Sequence, residues 1–200
     1  MAFGASEFWT HFVPAFVEAT KTEGSTAWLY YQKQKIRSDI KDSDWTPMII
    51  TFLDGFAWAR GLIQLYERAP PGSKDGKRDC VWFRGNGSDR LVVIEPENQP
   101  RYVIFSEVPK LLKDDAPLKV LITYHAYAKA EAPEAWRRKF LDTLRHEVTG
   151  EGHPVRPSGP VEFLTILGDR VEEDPTDWHG FVLKRSDRDW QDDWMALPRD

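Results

Sequence analysis

The sequence predicts an α/β domain in which a mixed sheet of about five or six strands carries helices on both faces. Three observations lead there. Stretches with apolar residues three and four apart, at Glu7–Thr20, Trp45–Ala59 and Glu134–Val148, read as amphipathic helices. Short β-branched or alternating runs read as strands, and they fall between the helical stretches rather than in a block. The run Leu118–Tyr124 follows a helical segment, which implies a crossover into a shared sheet.

Taken in order, Phe8, Trp9, Phe12, Val13, Phe16 and Val17 make one stripe, with Pro14 kinking or restarting that helix. Gly24 reads as the stop. The charged stretch Tyr30–Asp44 shows no period that assigns it. Trp45–Ala59 is a second helix, with Thr46 as its cap and Pro47 in the first turn, where a missing amide costs least. Leu62–Tyr66 is a strand ending near Glu67, followed by the turn-rich loop Pro70–Gly76. Asp79–Phe83 and Leu91–Glu95 flank Gly85-Asn86-Gly87-Ser88, a hairpin signal. Val103–Lys113 is helical, Leu118–Tyr124 a strand, and Glu134–Val148 a helix. Glu162–Leu167 and Gly180–Lys184 are the last strand pair, before an acidic tail with tryptophans. Nothing repeats and no linker stands out, so 1–200 reads as one domain.

Composition bounds the function. At 200 residues with 41% hydrophobic and 30% charged residues, the chain can bury a sizeable core and is not disordered. No apolar run approaches the roughly 18–20 residues of a bilayer span, and no leader pattern opens the chain, so the expected location is cytoplasmic. Cys80 is the single cysteine, which excludes an internal disulfide and a thiolate zinc site. The net charge of −5 argues against a general nucleic-acid coat protein and demands a local basic surface for any such role. Nine tryptophans read first as core inventory.

Several motifs fail. The Gly-Lys pair within Gly72–Arg78 lacks the following Ser or Thr of a phosphate-cradling loop. His146-Glu147 lacks a second histidine four residues on, and the five histidines are scattered. Asn86-Gly87-Ser88 is an acceptor pattern for glycosylation that here reads as a turn. No serine has a nucleophile-elbow setting.

One constellation survives. Asp79 opens one hairpin arm, and Glu95 and Glu97 close the other. Residues two apart on a strand share a face, so Leu91, Val93, Glu95 and Glu97 point the same way. The hairpin brings Asp79 beside Glu95. Carboxylates so placed repel unless a cation lies between them, and a hard oxygen-seeking ion such as Mg²⁺ suits them. Glu67, closing the preceding strand, is a further candidate ligand. The plainer alternative is a strand start and a solvated strand end before Pro96.

The order of helix, strand, hairpin with Asp then Glu-x-Glu, helix and strand has a family likeness. Its carrying residues are Arg78-Asp79-Cys80-Val81-Trp82, Val92-Val93-Ile94-Glu95-Pro96-Glu97-Asn98, Glu107–Leu112 and Leu118–Tyr124. On these the chain resembles the PD-(D/E)XK nuclease superfamily, with its restriction endonuclease-like core, and more narrowly its uncharacterised members with Glu-x-Glu-Asn ending the third strand. The likeness covers 45–124, with 125–185 completing the sheet and 186–200 as the acidic tail.

The resemblance implies Mg²⁺- or Mn²⁺-dependent phosphodiester hydrolysis by a DNA endonuclease of restriction, defence or repair. Asp79 and Glu95 would hold the metal, with Glu67 as an accessory ligand. Glu97 stands where lysine is usual and would be a third ligand or a water-orienting base. Lys110 is the candidate replacement cation, although Glu107 and Lys110 also read as an ordinary i,i+3 surface pair. Asn98 and Gln99 would face substrate, and Glu97 with Gln99 fits a shifted register of the motif. Arg137, Arg138 and Lys139 read as phosphate contacts or, more plainly, as a solvated helix face. Making two cuts favours a homodimer. The rival reading is an inactive protein-interaction module presenting Trp178, Trp190 and Trp194.

Overall fold

The computed structural model describes residues 3–36, 45–66, 79–85, 89–97, 103–124, 132–150, 159–168, 177–186 and 189–198. Three helices come first: α1 (Ala5–Lys21), α2 (Thr26–Ile36) and α3 (Trp45–Trp58). The strands β1 (Leu62–Leu65), β2 (Cys80–Arg84) and β3 (Asp89–Glu97) follow. A π-helical turn, Val103–Glu107, runs directly into α4 (Val108–Lys113). Then come β4 (Leu118–Tyr124), α5 (Pro133–Thr149), β5 (Val161–Gly168), β6 (Trp178–Arg185) and the short β7 (Met195–Ala196).

All seven strands form one mixed sheet in chain order. The pairs β1–β2 and β2–β3 are antiparallel, β3–β4 and β4–β5 parallel, and β5–β6 and β6–β7 antiparallel. The parallel steps are bridged by the π turn with α4 and by α5, as a crossover requires. The α/β class and the crossover are therefore as expected, and the sheet holds more strands than expected. The extra strand comes from the acidic tail. Its Leu197 amide donates to the Gly180 carbonyl at 2.8 Å, and Trp9 Nε1 donates to the Pro198 carbonyl at 2.6 Å.

The sheet separates two cores. On one face α1, α2 and α3 pack over Cys80, Trp82, Val92, Ile94, Val120 and Ile122. Here Phe8, Phe12 and Phe16 stack in succession at 5.5 and 5.8 Å, and Phe8 stacks on Trp82 at 5.3 Å. That aromatic column accounts for much of the ring-rich composition. On the other face the π turn, α4 and α5 cover Val81, Val93, Leu121 and Phe163.

Local differences have local causes. Pro14 lies inside an unbroken α1. The unassigned stretch from Tyr30 is helical as far as Ile36, within α2. Thr46 is the second residue of α3 rather than its cap. Between Trp82 and Phe83 the β2–β3 register shifts, so Trp82 faces Val92 while Phe83 faces Arg90. The extra residue, Leu91, joins the helical-triad core, and the expected common face of Leu91 and Val93 does not form. Trp178 is buried, and Trp190 and Trp194 pack against the second core. Trp194 Nε1 also donates to the Leu141 carbonyl at 2.8 Å. Of the three tryptophans in the rival reading, Trp178 is therefore buried, and Trp190 and Trp194 are half-buried.

The end of α4 is tied down by a buried polar knot. The fully buried Lys119 donates its ammonium to the carbonyls of Asp114 and Ala116, which satisfies acceptors where the helix stops. Asp114 in turn receives Arg90 at 2.5 Å and the Ala116 amide at 3.0 Å. The start of β3 is thus pinned to the exit of α4.

Two glycines give a stability test. A Cβ at Gly180 would lie 2.6 Å from the Trp9 ring, which its hydrogen bond holds in place, whereas a Cβ at the exposed helical Gly55 would meet nothing within 4 Å. In urea unfolding, Gly180→Ala should lower stability by about 1–3 kcal/mol. Gly55→Ala should raise it by about 0.5–1 kcal/mol with an unchanged slope.

Candidate functional site

The β2–β3 ladder ends at Cys80 opposite Ile94, and the next position outward sets Asp79 beside Glu95, whose carboxyl feels its charge. Both continue the face of Val81 and Val93, the face covered by the π turn and α4. On the other flank Glu95 pairs with Leu121 of β4, and Glu97 pairs with Thr123. Because β3, β4 and β5 run parallel, this is the carboxyl-terminal edge of the parallel strands, where open α/β sheets place ligands. Pro96 is tolerated there because it lies beyond the last described β2 pair.

Glu95 is the anomaly. Its side chain is 0% exposed, and neither carboxyl oxygen makes a hydrogen bond of good geometry, although the Glu107 carboxyl lies near enough to act on it. The nearest cation is Lys110 of α4, whose Nζ stands 3.8 Å from Glu95 Oε2. Burial, reinforced by the Asp79 charge, pushes the Glu95 carboxyl well above the usual glutamate range, and Lys110 opposes this only in part.

Lys110 bonds elsewhere. It donates to Glu107 Oε2 at 2.7 Å, while Ser106 Oγ donates to Glu107 Oε1 at 2.7 Å. Burial works against ionised Glu107, but the Lys110 and Ser106 hydrogen bonds outweigh it and hold the carboxyl below its ordinary range. Burial likewise opposes charge on Lys110, and Glu95 with Glu107 more than offsets it, so the ammonium titrates higher than usual. The i,i+3 pair expected at the surface is a partly buried one turned toward Glu95.

A π turn presents Glu107. The ring of Pro109 has no amide to donate and crowds the carbonyl four residues back, at Phe105, so the backbone widens there. Such turns recur at functional sites. Phe105 in the same turn is 84% exposed.

Sequence reasoning thus brought together Asp79, Glu95 and Lys110, with Glu97 two residues along the same face. Glu67, Asn98 and Gln99 lie outside the described residues. Arg138 and Lys139 are exposed and Arg137 is half-buried, in keeping with a solvated helix face. Thr123 and Thr165, which the sequence does not flag, bury hydroxyls without hydrogen-bond partners on the same sheet face as Glu95. Threonine inside a β-branched run carries no warning, because it is itself a good strand former.

Among the described residues, no three His, Cys, Asp or Glu side chains group closely enough to hold a metal ion. A Mg²⁺ ion asks for less: one or two carboxylates, completed by waters and substrate phosphates. Asp79 with the orphaned Glu95 meets that requirement. A separate groove of about 560 Å³, lined by Glu7, His11, Arg60 and Arg84, lies at the opposite end of β2. No described helix is long and apolar enough to cross a membrane. Neither a protein-family model nor a curated protein matches the chain.

The Glu95 anomaly has a sign. Folding raises its proton affinity, so its contribution is favourable below about pH 4.3 and is lost as pH rises from there. In chelator-containing buffer, Glu95→Gln should therefore be more stable than the parent at pH 7.5. The gap should close near pH 4, as read by urea midpoints at both pH values.

Proposed function

We propose that the protein is a metal-dependent phosphodiesterase of the restriction endonuclease-like kind, acting on DNA. The observation that carries this reading is the fully buried Glu95 carboxyl, short of hydrogen-bond donors and set beside Asp79. Element order supports it too: a hairpin bearing Asp then Glu-x-Glu, a crossover helix, and a parallel strand beside the glutamates.

When bound, Mg²⁺ or Mn²⁺ supplies Lewis-acid polarisation of a phosphate and an acidified water. Asp79 and Glu95 would hold the cation, and the apolar wall around Glu95, which includes Leu121, keeps bulk water off the Glu95 oxygens. Glu97 lies two residues along the same face, about 7 Å further out by strand geometry, and accepts the proton of the attacking water at its carboxylate. Lys110 offsets charge that builds on the phosphate oxygens, the task glutamate at position 97 cannot perform. Glu67 as an accessory ligand, Asn98 and Gln99 at the substrate, and a homodimer for paired cuts complete the reading.

Two measurements test it. Millimolar Mn²⁺ or Mg²⁺ should raise the melting temperature by a few degrees through preferential binding to the folded state, and Asp79→Asn should abolish the rise. Plasmid nicking with Mn²⁺ should stop with chelator. In Asp79→Asn it should fall by more than the roughly 10–100-fold that loss of an outer ligand partner costs. If neither ion shifts melting, the inactive interaction module replaces the enzyme.

A further inference from the structure

We propose that Glu107 is a positioning residue that, together with Ser106, clamps Lys110 against the buried Glu95 carboxyl. The inference rests on the phosphodiesterase reading and explains how the site does without a lysine on β3.

An exposed i,i+3 pair has solvated ends, and its lysine samples many rotamers. This pair differs in three respects. Glu107 is buried, so its carboxylate cannot turn to water. Both of its oxygens are engaged, Oε1 by Ser106 and Oε2 by Lys110, each at 2.7 Å, which fixes the carboxylate plane. And the Lys110 ammonium, held at one side by Glu107, presents its other side to Glu95 at 3.8 Å. With a side chain still 30% exposed, Lys110 has room to swing into solvent once Glu107 releases it. The π turn fits this role. An extra residue in the turn rotates the helix that follows, and Glu107 closes that turn three residues before Lys110.

The clamp is read without activity by amine acetylation of the full-length chain in chelator, with peptide mass spectrometry comparing Lys110 with the exposed Lys139. In Glu107→Gln, Lys110 should acetylate several-fold faster while Lys139 is unchanged, and Ser106→Ala should give a smaller rise. Circular dichroism and urea midpoints confirm that each variant folds. Ser106→Ala keeps the test standing if Glu107→Gln does not. With Mn²⁺ and plasmid, Glu107→Gln should lower kcat by about tenfold or more and leave KM unaltered. An unchanged Lys110 rate in folded variants overturns the clamp. Faster acetylation with undiminished kcat overturns its part in chemistry. Absence of nicking by the parent chain overturns the phosphodiesterase reading and the chemical role with it, and is told apart because the acetylation contrast persists.

Discussion

A carboxyl group removed from water and given no hydrogen-bond donor is among the most costly things a small domain can contain. Glu95 sits in the middle of the sheet in this condition, and its neighbours are arranged around it. Lys110 leans toward it from α4, Asp79 faces it across the hairpin, and β4 closes its other flank with Leu121. An apolar side chain of similar size would make a better-packed core at that position.

The supports for this residue lie at both ends of one short helix. At its exit, Lys119, Asp114 and Arg90 bind α4 to the beginning of β3. At its entry, Ser106, Glu107 and Lys110 face the end of β3. The first knot is complete, with ammonium and guanidinium both paired to oxygens. The second is left one partner short, at Glu95. Similar residue types thus serve the two ends, and only the second leaves a buried carboxyl short of hydrogen-bond donors.

Much of this was legible in the chain because it depends on short-range spacing. The hairpin arms follow from the alternating apolar residues on either side of Gly85–Ser88, which brings Asp79 close to Glu95, but counting inward from Arg84 opposite Asp89 sets Asp79 against Ile94, and only the bulge moves it to Glu95. The β3–β4 crossover follows from a helix preceding Leu118–Tyr124. What was not legible depends on contacts far apart in sequence. The bulge at Leu91 inserts one residue without any glycine to mark it. The docking of the tail relies on Trp9 meeting Pro198, at opposite ends of the chain. The inward turn of Lys110 comes from a widened helical turn, whereas the bare i,i+3 spacing indicates an exposed pair.

Cys80 follows Asp79 directly and points into the other core, against the aromatic column. Burial, with Asp79 and Glu95 adding to it, pushes its thiol well above the ordinary range, so the folded chain offers no ready thiolate. A disulfide reagent therefore reacts only when the core between the sheet and the first three helices opens. The natural sulfhydryl is a built-in clock for release of the helical layer from the sheet, and it leaves a clean background for any probe attached elsewhere.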